Sequence, residues 1–146
     1  MSAYLDSAIL IKLYVPEPNS PDAAALAEKH GAPLVFTHLQ DNEVKNAIRL
    51  KVCRKELTDA EVKIALANLN HDLETGRLAR PLLNWPQIWQ QADELSDRYA
   101  YETNCRTLDT LHVAAARGLG IRQFVSFEQR QRALAAKAGL RVQPSL

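Results

Sequence analysis

Four acidic residues stand at positions where a folded α/β chain normally carries apolar or neutral side chains. Asp6 and Glu128 each directly follow a short, mainly apolar run. Glu43 and Asp109 fall inside the apolar arcs of two predicted helices. A buried carboxylate costs several kcal/mol unless it is paired, neutralised or bound to a cation. A divalent cation would account for all four acids at once.

Three of these acids also have an ordinary structural explanation. Asp6 can cap the helix that follows it. Glu43 and Asp109 lie near predicted helix N-termini, where the helix dipole stabilises an acid by about 0.3–1 kcal/mol. That gain is small against the cost of burial. His112 shares the apolar arc of Asp109, and we expect it to be a packed core residue rather than a ligand.

The donor set favours a hard cation. The acids offer oxygen ligands, and neither Cys53 nor Cys105 belongs to a metal-binding spacing. Such a set selects Mg²⁺ or Mn²⁺ over Zn²⁺. Mg²⁺ usually takes one or two protein carboxylates, keeps several waters and accepts phosphate oxygens of a substrate. That chemistry suits the hydrolysis of phosphodiesters.

The elements that must position the acids alternate along the chain. Strands are predicted at 3–5, 34–36, 80–83, 122–126 and 141–142, and helices at 7–14, 20–29, 39–55, 58–76, 86–101, 107–117 and 129–138. Ser20 is expected to cap the second helix, and Thr58 with Glu61 forms a capping box. Strands separated by helices pair in parallel. Asp6 and Glu128 then point to the same strand-end edge, where open sheets bind ligands.

Length and composition predict one domain over residues 1–146. The sequence carries neither a signal-peptide pattern nor an apolar run long enough to span a bilayer, so we expect no membrane association. We interpret Cys53 and Cys105 as free thiols in a reducing compartment, which predicts a cytoplasmic location.

The net charge of +1 hides an uneven distribution, because residues 117–146 carry six basic side chains and one acid. This basic segment is either a surface that attracts phosphate or a solvated helix face. Trp85 and Trp89 are four residues apart around a helix start, and we expect them to pack against the core.

The motifs resemble those of the PIN-domain family, in particular the VapC-type toxins of prokaryotic toxin–antitoxin modules. Residues 4–14 are similar to the family's first motif, and Glu43 matches its second acid. Residues 106–116 closely match the third and most specific motif. Residues 124–128 match the fourth, where the family more often has Thr-x-Asp. The resemblance covers nearly the whole chain.

The resemblance implies a three-layer α/β/α fold, with helices flanking a parallel sheet in the strand order 3-2-1-4-5. It implies an endoribonuclease that depends on Mg²⁺ or Mn²⁺ and hydrolyses RNA phosphodiester bonds. It also implies a homodimer, and a cognate antitoxin whose C-terminal segment fills the active groove.

By the family pattern, the catalytic residues would be Asp6, Glu43, Asp109 and Glu128. Asp6 and Asp109 would be the main metal ligands. Glu43 would complete the site directly or through water. Glu128 would bind a second metal or orient a water, and its extra methylene relative to Asp makes a direct contact less favourable.

Four further residues could assist. By the same family pattern, Ser7 and Ser126 would hydrogen-bond the acids or the scissile phosphate. Lys12 and Arg49 are expected to be exposed on the two flanking helices, either as contacts to the RNA backbone or as ordinary solvated charges.

Two other functions stay open from the sequence. One is a PIN-type nuclease that acts in RNA processing outside any toxin–antitoxin pair. The other is a catalytically silent module that binds RNA or protein, which the presence of Asp6, Glu43 and Asp109 argues against.

Overall fold

The computed structural model describes residues 2–145. They form two compact units, one made of residues 7–81 and the other of residues 2–6 together with 82–145. A single domain over 1–146 stays a prediction, and its terminal residues Met1 and Leu146 lie outside the described part of the chain.

Strands and helices alternate as the sequence predicts. In chain order they are β1 (Ala3–Leu5), α1 (Ser7–Ile11), α2 (Ser20–His30), β2 (Leu34–Val35), α3 (His38–Cys53), α4 (Asp59–Glu74), β3 (Leu78–Ala79), α5 (Trp85–Thr103), α6 (Thr107–Gly118), β4 (Gln123–Val125), α7 (Gln129–Lys137) and β5 (Arg141–Gln143). Within residues 2–145, none of these helices is both long and apolar enough to cross a membrane.

Within residues 2–145, the three strand pairs are all parallel. Strand β4 lies between β1 and β5, and β2 pairs with β3. Three of the four neighbours in the predicted order 3-2-1-4-5 are therefore confirmed. The fourth, β1 beside β2, is not a hydrogen-bonded pair in residues 2–145, where the strands fall into a three-stranded and a two-stranded sheet.

An aromatic stack fixes the centre of the three-stranded sheet. Tyr4 of β1 and Phe124 of β4 are register partners, and their rings stack with centroids 5.5 Å apart. The Tyr4 hydroxyl lies 2.7 Å from Nδ1 of His112, and all three side chains are buried. His112 is therefore a core residue, as expected.

Several predicted boundaries and environments were wrong. The third strand is Leu78–Ala79 rather than 80–83, and α1 ends at Ile11 instead of residue 14. Ser20 is the first residue of α2, and Asn19, with φ 70°, precedes it as the cap without a capping side-chain hydrogen bond. Trp89 is 56% exposed rather than packed in the core.

Two helices of the 7–81 unit begin with reciprocal capping boxes. On α3, Gln40 N–H donates to Thr37 Oγ1 (3.1 Å), and Thr37 N–H donates to Gln40 Oε1 (2.7 Å). On α4, Thr58 and Glu61 make the same two bonds at 3.2 and 3.0 Å. The Thr37 box is buried and the Thr58 box is exposed. The α3 cap matters for function because this helix carries Glu43.

We predict that Thr37→Ala destabilises the protein more than Thr58→Ala. Loss of an N-cap costs about 0.5–2 kcal/mol. Water can replace the lost acceptor at the exposed α4 cap but not at the buried α3 cap, where desolvation adds about 1–3 kcal/mol. Urea unfolding of the two variants measures the difference. Equal losses of unfolding free energy would contradict the argument.

Candidate active site

Asp6 lies directly beyond the carboxyl end of β1. Its N–H donates to the carbonyl of Val125 (3.0 Å), which extends the β1–β4 ladder by one residue. The register sets Asp6 level with Ser126, the first residue after β4. Asp6 is only 2% exposed. The strand-end edge therefore carries a nearly fully buried acid, as the sequence predicts.

Asp109 is held by two donors at the start of α6. Its Oδ2 accepts from the Arg106 N–H (2.8 Å), and its Oδ1 accepts from Nε2 of Gln131 (3.2 Å). The first contact is local to the helix start. The second comes from α7, so it ties Asp109 to the helix that follows β4. Both carboxylate oxygens are thus oriented by the protein.

Glu128 serves as the N-cap of α7. Its Oε2 accepts from the Gln131 N–H (2.8 Å), and the side chain is otherwise exposed. Gln131 therefore contacts Glu128 through its backbone and Asp109 through its side chain. The sequence analysis missed Gln131. The signal was present, since an acceptor at the cap with Gln three residues later is the spacing of a capping box.

Ser126 shapes the turn between β4 and α7. Its hydroxyl accepts from the Glu128 N–H (3.0 Å), and its carbonyl accepts from Arg132 (2.7 Å). Arg132 also donates to the Pro144 carbonyl (2.6 Å). Ser126 is fully buried. Its hydroxyl therefore contacts the backbone of Glu128 here, and a role toward a phosphate stays a prediction.

In the 7–81 unit, Glu43 has a defined partner. The Ser7 hydroxyl donates to Glu43 Oε1 over 2.8 Å. This is one of the contacts expected for Ser7. Glu43 is half-buried on α3, where its neighbour Asn42 is exposed and its neighbour Val44 is buried. Its membership in a common site with Asp6 and Asp109 stays a prediction.

Lys12 does not have the exposed position that the sequence suggested. Its ammonium pairs with Glu17 at 3.0 Å, and Lys51 pairs with the same carboxylate at 3.1 Å. Burial alone would raise the pKa of Glu17, but these two lysines outweigh it and hold the pKa below its ordinary value. Lys12 thus neutralises a half-buried acid, whereas Arg49 is exposed on α3 as expected.

A second group of charges surrounds Arg80, just beyond β3. The guanidinium donates to Asp41 Oδ2 (2.7 Å) and to Nδ1 of His38 (3.1 Å), because arginine has no acceptor. Lys45 also pairs with Asp41 at 2.7 Å. Burial would raise the pKa of Asp41, but Lys45 and Arg80 outweigh it and lower the pKa. The sequence analysis did not identify this basic cluster.

The motifs imply a divalent cation beside these acids. Within residues 2–145, no group of three or more His, Cys, Asp and Glu side chains is arranged to hold a metal ion. Mg²⁺, however, usually uses one or two protein carboxylates and keeps several waters. A carboxylate has about four lone-pair sites, and Asp109 uses two of them in the contacts to Arg106 and Gln131. Its remaining sites suit an open, water-rich cation site.

Comparison with known proteins supports the fold. No protein-family model matches the sequence, and no curated protein sequence matches it. Mycobacterium tuberculosis VapC20, a Sarcin-Ricin loop cleaving toxin, aligns with a TM-score of 0.67 and 18% identity over 98% of this chain and 100% of that one. FitAcB from Neisseria gonorrhoeae aligns with a TM-score of 0.63 and 15% identity over 96% of this chain and 95% of that one. PAE2754 from Pyrobaculum aerophilum aligns with a TM-score of 0.57 and 18% identity over 97% of this chain and 89% of that one.

These likenesses span nearly the full length of each chain. The α/β architecture with parallel strands is that of PIN-domain folds, as the motifs predicted. At these identities the likeness concerns the fold, so the assignment of chemistry depends on the individual residues.

We predict that Glu128 contributes to stability through its cap. Glu128→Ala should lower the free energy of unfolding by about 1 kcal/mol, because the Gln131 N–H loses its acceptor. Glu128→Asp should retain the wild-type value, since Asp is a preferred N-cap residue. Denaturant unfolding measures both. Wild-type stability of the alanine variant would show that the cap does not contribute.

Proposed function

We propose that the protein is a Mg²⁺- or Mn²⁺-dependent endoribonuclease. One observation carries the proposal: Asp6, an acid only 2% exposed, directly follows β1 at the carboxyl end of the parallel β1–β4 pair in a PIN-type fold. A charged carboxylate that is buried at this position costs stability unless a cation or hydrogen-bond donors compensate the charge. Its place at the carboxyl end of a parallel sheet is where such folds bind ligands.

The proposed ligands of the ion are Asp6 and Asp109, with Glu43 completing the site directly or through water. The ion, when bound, supplies Lewis-acid activation of water and positive charge beside the phosphoryl oxygens. The chain's own residues orient the ligands. Gln131 fixes one oxygen of Asp109, and Ser7 fixes one oxygen of Glu43. Such orienting hydrogen bonds keep ligand carboxylates in a single geometry.

The role of Glu128 is proposed to be secondary. Its carboxylate already caps α7, and its longer side chain loses more rotamer freedom on binding than Asp would. It acts through a water, or by holding Gln131 in place, more readily than as a direct ligand.

We further propose that the protein is the toxin of a toxin–antitoxin pair and forms a homodimer. The motif resemblance to VapC-type toxins supports this, as does the fold shared with VapC20, itself a toxin. The partners would be an RNA substrate and a cognate antitoxin. A nuclease acting outside such a pair would have the same site chemistry but no neighbouring antitoxin gene.

We predict that Asp6→Asn and Asp109→Asn each abolish RNA cleavage while the protein stays folded. Loss of an orienting contact around a metal typically costs 10–100-fold, and loss of a ligand should cost at least about 100-fold. Single-turnover cleavage of an RNA at saturating Mn²⁺ measures the effect. Near wild-type rates in both variants would overturn the site assignment.

Metal binding provides a control that does not depend on cleavage. A cation that binds only the native state stabilises it by mass action, so Mn²⁺ should raise the melting temperature of the wild type. The shift should shrink in Asp6→Asn and Asp109→Asn. It should persist in Arg49→Ala, a matched change of an exposed charge on α3. An equal shift in all four proteins would place the cation elsewhere.

A further inference from the structure

A cavity of about 210 Å³ lies where α5 meets the segment that leads into α6. Its walls come from α5, from the segment before α6 and from the start of α6, and their polar and aromatic members include Trp89, Asp93, Ser96, Cys105, Arg106 and Thr107. All of these residues belong to the unit that contains Asp6 and Asp109. The cavity has no part in the metal chemistry proposed above.

Trp89 is the aromatic member of this lining. The spacing of Trp89, Asp93 and Ser96 by four and three residues places them on one face of α5. Trp89 is 56% exposed, although an aromatic side chain of this size gains most when it is covered. The cavity thus combines a partly exposed indole with hydroxyl and charged groups.

Size and charge restrict what the cavity can hold. Pockets for drug-sized ligands occupy about 300–1,000 Å³, so this cavity fits a single ring system. Its lining carries one guanidinium, from Arg106, and one carboxylate, from Asp93. These formal charges cancel, which disfavours a free phosphate. A planar ring with hydrogen-bonding groups on its edge matches the indole face and the polar rim.

The cavity is joined to a proposed catalytic residue through a short piece of backbone. Arg106, which lines the cavity, donates its N–H to Asp109 over 2.8 Å. We propose that the cavity binds one unstacked nucleobase of the RNA substrate, stacked on Trp89, next to the bond that is cleaved. Proteins that recognise single-stranded RNA commonly stack its splayed bases on aromatic side chains. The inference rests on the proposed ribonuclease function.

Base binding can be tested without any cleavage. Trp85 and Trp89 are the two tryptophans of the chain, so Trp85→Phe leaves Trp89 as the sole indole. Its fluorescence, corrected for absorption with free tryptophan, is followed during titration with AMP, GMP, CMP and UMP. We expect saturable quenching by at least one nucleotide and none by ribose 5-phosphate, which lacks a base. No quenching by any nucleotide would overturn the inference.

Cleavage kinetics supply the second arm. Loss of one base–aromatic stack corresponds to about 5- to 150-fold in binding, so Trp89→Ala should raise KM by that factor and change kcat less. Trp89→Phe should restore most of the loss. Tyr101→Ala is the matched control, because Tyr101 is a fully exposed aromatic residue of the same helix outside this cavity. Wild-type KM in Trp89→Ala would contradict base stacking.

Two further outcomes are informative. If Trp89→Ala changes the sedimentation of the free protein from dimer to monomer, the indole lies in the interface between two copies of the chain, and the inference is wrong. If the wild type cleaves no RNA, the proposed function fails, while the fluorescence titration still decides whether the cavity binds a base.

Discussion

The hydrogen bond from Gln131 to Asp109 is the constraint on which the candidate site depends. It connects α7, which follows β4, to the third motif on α6. The backbone N–H of the same glutamine donates to the capping carboxylate of Glu128. Gln131 is only 6% exposed. Buried polar groups are usually hydrogen-bonded, and these two bonds from one residue hold Glu128 and Asp109 at fixed positions relative to each other.

The first turn of α7 also organises the end of the sheet. Arg132 donates to the carbonyls of Ser126 and Pro144, which joins the turn after β4 to the residue after β5. Since Asp6 continues the β1–β4 ladder, the strand-end acid and the α7 turn are tied to the same three-stranded sheet. The positions of Asp6 and of the α7 turn therefore depend on the packing of this sheet, in which Tyr4 contacts Phe124 and His112.

The sequence predicted helices and strands well where the stabilising interactions join residues that are close together in the sequence. The Thr58 capping box was found because both of its bonds span three residues. The burial of Asp6 was expected because an apolar strand precedes it. Long-range partners were not predictable in this way. The pairing of Lys12 and Lys51 with one carboxylate, that of Glu17, and the exposure of Trp89 depend on how separate segments of the chain meet.

The most direct test of the account is the chemistry of the RNA ends. Hydrolysis by an activated water forms no 2′,3′-cyclic phosphate, whereas attack by the neighbouring 2′-hydroxyl does. The account predicts that purified protein cuts total RNA only when Mg²⁺ or Mn²⁺ is supplied, that EDTA stops the reaction, and that the new ends lack a cyclic phosphate. Cleavage in EDTA that leaves cyclic phosphate ends would contradict the central claim that these carboxylates act through a divalent cation.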